Sequence, residues 1–544
     1  MRAQFLVNYV RGFRKTERVL IVGLTLVLGW VMVLYFVNAA RLNPTGNFST
    51  YADDTYIHLR FAHHLTEGWG IVWNKGGQPV EGSTSFFYLL MIAAIEMLGV
   101  QPIWALAYTC ALFAVLSIMI ALLILQKINS AHPVENLTAV ILFGLSPRLM
   151  IWASTGLEVT LYAFSLALCV FGYILYRAGS LSPYFVGFLF AVSSYIRPEC
   201  LAVFGVTFGF DLIAAYTSGN KKYQPAFALL TSFLVLYLPV LLWKWSYFGY
   251  PFPNTYYAKT GGGMVQIMAG ASYLWTNLAE TFIPSGLLGI LFLATIRKPH
   301  YSLEKAYLLL VLLSSWAIVA FNGGDYMLKG RFLTPLFPIL FVLAGLGISQ
   351  LAEQTAGMYR IVLISSLLFM AVFIWHSEKP VMVDRGDAPF PTAKENKPGY
   401  IISTPEFVMM GKALHSIAAA GDSIALVPIG AIGFYSDMIV YDMVGLVDPV
   451  IAHEPFLEEY IKNSWRPGHD KGDGEYILAQ KPTYILLVDR LTNDPVEGVD
   501  EWAMQYRSIN EIWNSAEFHA RYLYCPIRTN GWYINLYCRT ANNP

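Results

Sequence analysis

Eleven apolar runs, most of them near the length of a membrane-crossing helix, fill the first 375 residues of this 544-residue sequence. A hydrocarbon layer roughly 30 Å thick takes about 20 helical residues at ~1.5 Å each. The first run, Val19 to Ala40, has 22 residues and follows Arg2, Arg11, Arg14, Lys15 and Arg18. A cleaved secretory signal has a shorter apolar stretch ending in small residues, so this run reads as an uncleaved helix with a cytoplasmic N-terminus. The other runs lie at about 103–126, 135–152, 157–177, 181–197, 199–217, 225–246, 284–297, 304–321, 332–352 and 359–375. Charged residues make up only 13% of the chain, against about 25% in soluble domains, which excludes a soluble, a disordered or a nucleic-acid-binding class. The sequence predicts a polytopic α-helical membrane protein.

Charge decides the loops. Counting the short run 84–99, which contains Glu96, as a crossing would move Lys127, Arg177, Lys221, Lys222, Arg297, Lys298, Lys305 and Arg360 away from the cytoplasm. That opposes the positive-inside bias, so 84–99 reads as interfacial or re-entrant. Eleven crossings then put the C-terminal part outside, in the periplasm of a bacterial inner membrane. Residues 376–544 hold 22 acidic and 14 basic side chains, and residues 1–375 hold 14 and 22. The division is therefore a membrane domain at 1–375, a Pro-, Asp- and Lys-rich linker at 376–398, and a soluble domain at 399–544.

The outer loops carry the residues with chemistry. Asp53 and Asp54 follow the first span by about twelve residues. Adjacent carboxylates repel, which raises one pKa, and such a group suits a general base for a sugar hydroxyl. The pair is also able to ligate Mg²⁺, Mn²⁺ or Ca²⁺. The structural alternative is an N-cap for a helix through Ile57, Phe61 and Leu65. Arg197 and Glu199 flank Pro198 between two spans, either gripping a phosphate diester or pairing with each other. Lys259, Arg148 and Arg331 are further outer-face cations with the same two readings, and Arg60 reads as a surface partner for an acid. Glu158 opens a span, where it complements the helix dipole. His58, His63 and His64 lack zinc spacing, and Gly261-Gly-Gly263 lacks the sequel of a nucleotide-binding loop.

Together these loops resemble the membrane-embedded GT-C glycosyltransferases that use polyprenyl-phosphate sugars, most of all the branch of terminal arabinofuranosyltransferases. The resemblance rests on Asp53-Asp-Thr-Tyr-Ile-His-Leu-Arg60, Gly68-Trp-Gly-Ile-Val-Trp-Asn74 with Val80-Glu-Gly-Ser-Thr-Ser85, Thr155-Gly-Leu-Glu158, Arg197-Pro-Glu199, Pro253-Asn-Thr-Tyr-Tyr-Ala-Lys259 and Gly324-Asp-Tyr-Met327. Gly430-Ala-Ile-Gly-Phe-Tyr435, Asp442-Met-Val-Gly-Leu-Val-Asp448 and Pro467-Gly-His469 extend it through the tail. Thr55 departs from the family, which usually has a small residue there. The resemblance implies an inverting transferase acting on a cell-envelope glycan or glycoconjugate, with D-arabinofuranose as the expected sugar and mannose, another hexose or a protein acceptor as alternatives. It implies Asp53 as base and Asp54 as helper or metal ligand. It also implies Arg197, Lys259 and Arg331 at the donor phosphate, and Tyr56, Glu81, Glu158, Glu199, Asn254, Tyr256 and Asp325 against substrate. No cofactor is certain; a divalent cation is left open.

In the tail, strand-like runs at 423–427, 438–441, 484–488 and 532–537 alternate with helical patterns such as 405–420 and 456–463, predicting a small α/β domain. Trp465, Trp502, Trp513 and Trp532 read as packing aromatics before sugar platforms. Asp442, Asp448, His453 and His469 are polar candidates whose alternative is turn capping. Cys525 and Cys538 flank the hairpin signal Asn530-Gly531; a strict two-residue turn offsets them by a step, so their pairing is left open. Cys110, Cys169 and Cys200 read as buried packing residues. A lipid-linked-glycan transporter is the competing class. It would carry polar groups deep in its spans and repeated halves, whereas here the polar residues gather at one face.

Overall fold

The computed structural model describes residues 51–217, 222–282, 302–327, 330–354, 365, 404–457 and 465–540. The expected first span, the runs at 284–297 and 359–375, the linker 376–398 and part of the 456–463 helix lie outside the described residues. Among these, six helices are long and apolar enough to cross a membrane. They are Pro102–Ile128, Val159–Arg177, Cys200–Thr217, Gln224–Phe248, Leu303–Phe321 and Thr334–Gln354. The expected span 135–152 is instead two helices, Pro133–Gly144 and Pro147–Ser154, bent by 49°. Pro147 explains the break, because it lacks an N–H to continue the ladder and disfavours helix in the residue before it.

Two further segments are short. Phe86–Met97 has 12 residues and Pro183–Ile196 has 14. At ~1.5 Å per residue neither matches a hydrocarbon layer of about 30 Å. The first fits the non-crossing role that charge assigned to it, and the second is shorter than the expected span 181–197. Pro183–Ile196 packs tightly on Gln224–Phe248, where a Cβ on Gly187 would fall 2.2 Å from the Leu229 carbonyl oxygen. Small residues allow this backbone approach between helices in lipid.

The tail is a six-stranded sheet with helices around it. In chain order its strands are β1 Ser423–Leu426, β2 Ile439–Asp442, β3 Tyr484–Thr492, β4 Tyr522–Tyr524, β5 Ile527–Thr529 and β6 Trp532–Arg539. Their order is β2-β1-β3-β6-β4, with β5 also paired to β6. β1 is parallel to β2 and β3, and β6 runs antiparallel to β3, β4 and β5. The Asn530-Gly531 turn is a strict two-residue hairpin, with φ of 49° and 85° as a primed turn requires. Its register sets Cys525 beside Leu536 and Leu523 opposite Cys538, so the two cysteines are diagonal neighbours. They nonetheless form a disulfide, with Cα atoms 5.8 Å apart, where the chain leaves β4 for β5.

The helix Asp53–Thr66, called αN here, joins the two parts. Its partner is the tail helix Ile429–Ser436, called αT. Arg60 is the tie between them. Only 4% exposed, it donates to the carbonyls of Trp73 at 2.9 Å and Met438 at 2.7 Å, to the Gly433 carbonyl, and to Asn74 Oδ1 at 3.1 Å. The expectation of a surface acid partner is corrected: the guanidinium carbon lies over the Trp73 ring, 4.7 Å from its centre, and its donors go mostly to backbone oxygens. Asn74 adds a strand-like pair of bonds to Val440, accepting from its N–H and donating to its carbonyl.

Arg60→Met keeps volume but removes these donors. Each buried carbonyl left unpaired costs roughly 1–3 kcal/mol. The variant is expected to show faster proteolysis of the tail and a lower unfolding midpoint in detergent. Unchanged proteolysis would remove Arg60 from this role.

Candidate active site

The charged residues that the sequence placed in one set of loops fall together, each at or near the end of a helix. Glu158 precedes Val159–Arg177, Arg197 follows Pro183–Ile196, Asp325 follows Ser302–Phe321, and Arg331 precedes Thr334–Gln354. Lys259 ends the short helix Asn254–Lys259, shortly after Gln224–Phe248. αN brings its first turn to the same place.

Two arginine centres form there. The Arg331 guanidinium contacts Asp325 at 2.7 and 2.9 Å and Asp54 at 3.0 Å. Arg197 contacts Glu158 at 2.7 Å and Glu199 at 2.7 and 3.1 Å. The Phe332 ring lies between them, 5.0 Å from the Arg197 guanidinium carbon and 5.1 Å from that of Arg331. Arg197 is ion-paired, as one of its two readings has it, and it also lines a cleft. That cleft holds about 430 Å³, open mouth included. Its polar lining is Glu158, Arg197, Glu199, Ser315 and Arg331; its apolar lining is Val159, Tyr162, Val319, Phe332, Pro335 and Leu336.

The tandem acids diverge. Asp53 is pushed up to about 7, first by burial and then by the neighbouring Asp54 charge, against the N–H groups of Ala431 and Gly430 that favour the carboxylate. Burial also pushes on Asp54, but Arg331 and Lys259 outweigh it and hold that carboxyl below its usual range. His58 donates or accepts with Ser83 Oγ at 2.8 Å and lies 3.6 Å from Glu158. Burial lowers its pKa, against the pull of the Glu158 carboxylate, and so favours the neutral ring. Lys259 is lowered chiefly by burial and next by Arg331. Among the described residues it has no ion pair or hydrogen bond, and it lies along Gly468 of the tail, facing Asp54 and Asp325. It is thus the site cation whose charge is not spent on a carboxylate contact.

As a cation-binding pair the tandem acids fit poorly. Asp54 is neutralised by Arg331, and both oxygens of Asp53 accept backbone N–H groups. Among the described residues no three His, Cys, Asp or Glu side chains gather in a metal-binding group.

Several expected substrate contacts lie elsewhere. Tyr56 is wholly enclosed between Tyr51, Phe434 and Tyr435, so it packs the seam and is not placed to touch substrate. Asn254 donates to the carbonyls of Gly445 and Leu446 and so ties the tail down. Tyr256 is exposed in an aromatic cluster with Phe252 and Tyr257. Glu81 is 2.5 Å from Lys244, between the Phe86 and Tyr195 rings; burial pushes it up to about 7 despite that partner. Lys244 is a lone charge in an otherwise apolar run, a signal the sequence carries although none of the motifs above includes it. Phe332 is marked by no motif. Arg148 binds Asn277 and Glu280.

In the tail, Asp442 and Asp448 cap turns, accepting from Val444 and Val447 and from Val450 and Ile451. His453 stacks on Tyr250 and Tyr257. His469 alone of these four faces the charged cluster, with its ring 4.3 Å from Tyr326. Trp465 fills the space over Gly262 and Gly323, and Trp513 packs with Phe518 and Tyr537.

Arg331→Gln would leave Asp54 and the 2%-exposed Asp325 side chain without their cation. Breaking such a buried pair costs roughly 3–5 kcal/mol. A fall of several degrees in the unfolding midpoint is expected, and a midpoint equal to wild type would show the pairing to be idle.

Residues 399–535 match a family described as a domain of unknown function (DUF8728). No curated protein matches the sequence. Among solved structures, ArnT from Cupriavidus metallidurans bound to undecaprenyl phosphate aligns with a TM-score of 0.54 at 12% identity, over 78% of this chain and 85% of that one. The same protein in its apo state gives 0.53 at 12% identity, over the same shares. Arabinofuranosyltransferase AftD from Mycobacteria aligns at 16% identity over 95% of this chain and 40% of that one, with a TM-score of 0.49. The chain has the GT-C fold that its motifs suggested.

Proposed function

We propose that this protein is a membrane glycosyltransferase that moves a sugar from a polyprenyl phosphate to a hydroxyl acceptor at the outer face of a bacterial inner membrane. The observation that carries the reading is the cleft that sets Arg197 and Arg331 among apolar side chains suited to a lipid tail, with Asp54 and the unpaired Lys259 next to Arg331. The shared fold with ArnT, a protein crystallised with undecaprenyl phosphate, supports the same donor class.

In this reading the acceptor hydroxyl gives its proton to Asp53 while its oxygen attacks the anomeric carbon. The bond from that carbon to the phosphate oxygen breaks on the opposite face, and the bonding electrons leave on the phosphate. Lys259 meets the charge that develops there. Arg331 and Arg197 hold the acids around it in fixed positions. We assign D-arabinofuranose as the sugar and an envelope glycan as the acceptor, on the strength of the motif resemblance.

Purified protein incubated with a panel of polyprenyl-phosphate sugars, with mass analysis of the acceptor, tests donor and sugar together. Transfer from the arabinofuranose donor is expected; transfer from a mannose or other hexose donor alone would overturn the sugar assignment. Asp53→Asn is expected to lower kcat by about 10²–10⁴-fold with donor binding retained. Near-wild-type transfer would remove Asp53 as the base. Because a base works deprotonated, activity should rise with pH through an apparent pKa of about 7. A profile flat from pH 5 to 8 would contradict it.

A further inference from the structure

Both oxygens of Asp53 are held by the tail. Oδ2 accepts the Gly430 N–H at 2.9 Å, and Oδ1 accepts the Ala431 N–H at 2.7 Å. These donors belong to the first turn of αT, where N–H groups have no partner within their own helix. Pro428 precedes the helix and provides no side-chain cap. Asp53 itself sits in the first turn of αN. Two helix starts therefore face one carboxylate, and both favour its anion. Among the described residues no cation pairs with Asp53; Arg331 is taken by Asp54 and Asp325.

The contact is made possible by a missing side chain. A Cβ on Gly430 would fall 2.1 Å from the Asp53 carbonyl oxygen. Only glycine lets αT come this close. A carboxylate has about four lone-pair positions, so two N–H donors still leave one on each oxygen for an incoming hydroxyl.

We propose that the tail completes the catalytic centre, with the backbone N–H groups of Gly430 and Ala431 acting as positioning groups that fix the Asp53 carboxylate for proton transfer. This rests on Asp53 being the base. The tail is then part of the enzyme's chemistry, and a chain whose tail is displaced keeps its donor site but loses its aimed base.

Ala431→Pro removes one donor at a helix position where proline is tolerated, and Ala431→Gly keeps the N–H as its control. Gly430→Ala displaces αT by a second route. The expected result is a fall in kcat of about 10–100-fold for Ala431→Pro and Gly430→Ala. KM for both substrates and binding of polyprenyl phosphate should stay within twofold, and Ala431→Gly should be near wild type. If the proline variant does not fold, Gly430→Ala alone carries the same comparison. Wild-type kcat in the folded variants, or a KM that rises in step with the loss, overturns the proposal. Asp53→Asn separates the two claims. If it is inactive while Ala431→Pro matches wild type, the base stands and the positioning role fails; if it is active, the base assignment fails first.

Discussion

Arg331 is the contact around which the rest is arranged. Its guanidinium takes Asp54 from αN and Asp325 from the loop after Ser302–Phe321, and it shares the Phe332 ring with Arg197. A buried charge is costly unless paired, so the first turn of αN and the loop between Ser302–Phe321 and Thr334–Gln354 are obliged to meet there. That obligation gives the two neighbouring acids different characters. Asp54 is committed as an anion, whereas Asp53 has no cation partner among the described residues and keeps a pKa suited to accepting a proton.

The tail is fastened by backbone contacts more than by charge. Arg60 donates to carbonyls, Asn74 and Asn254 bond to backbone groups of the tail, and αT presents N–H groups to Asp53. Lys471 does the same in the other direction, donating to the Tyr257 carbonyl at 2.9 Å. Such contacts fix register as well as affinity, because a shifted tail would leave buried polar groups unpaired. The apolar core follows the same seam, with Phe61, Val440 and Ile432 in one cluster.

Much of this was legible in the sequence, for physical reasons. Apolar length gave six spans among the described residues, and loop charge placed Asp53, Asp54, Arg197, Lys259 and Arg331 at one end, where they meet. The adjacent acids foretold a divided pair of pKa values, although burial turned out to be the larger cause. Side-chain direction was not legible. Tyr56 and Asn254 lie in the right motifs but face the seam. Arg60 looks like a surface charge until the tail is folded over it. The kink at Pro147 was marked by its residue, yet unbroken apolarity on both sides masked it. Phe332 and the two N–H donors of αT were beyond reach, because an aromatic between two cations and a backbone group beside a carboxylate leave no pattern in composition or spacing.

The central claim is a single displacement assisted by one carboxylate, and the configuration of the product reports on it directly. NMR of the newly formed glycosidic linkage, compared with that of the polyprenyl-phosphate donor consumed in the same reaction, should show the opposite anomer. Retention of the donor's anomeric configuration would mean that a nucleophile intervenes, and would contradict the account.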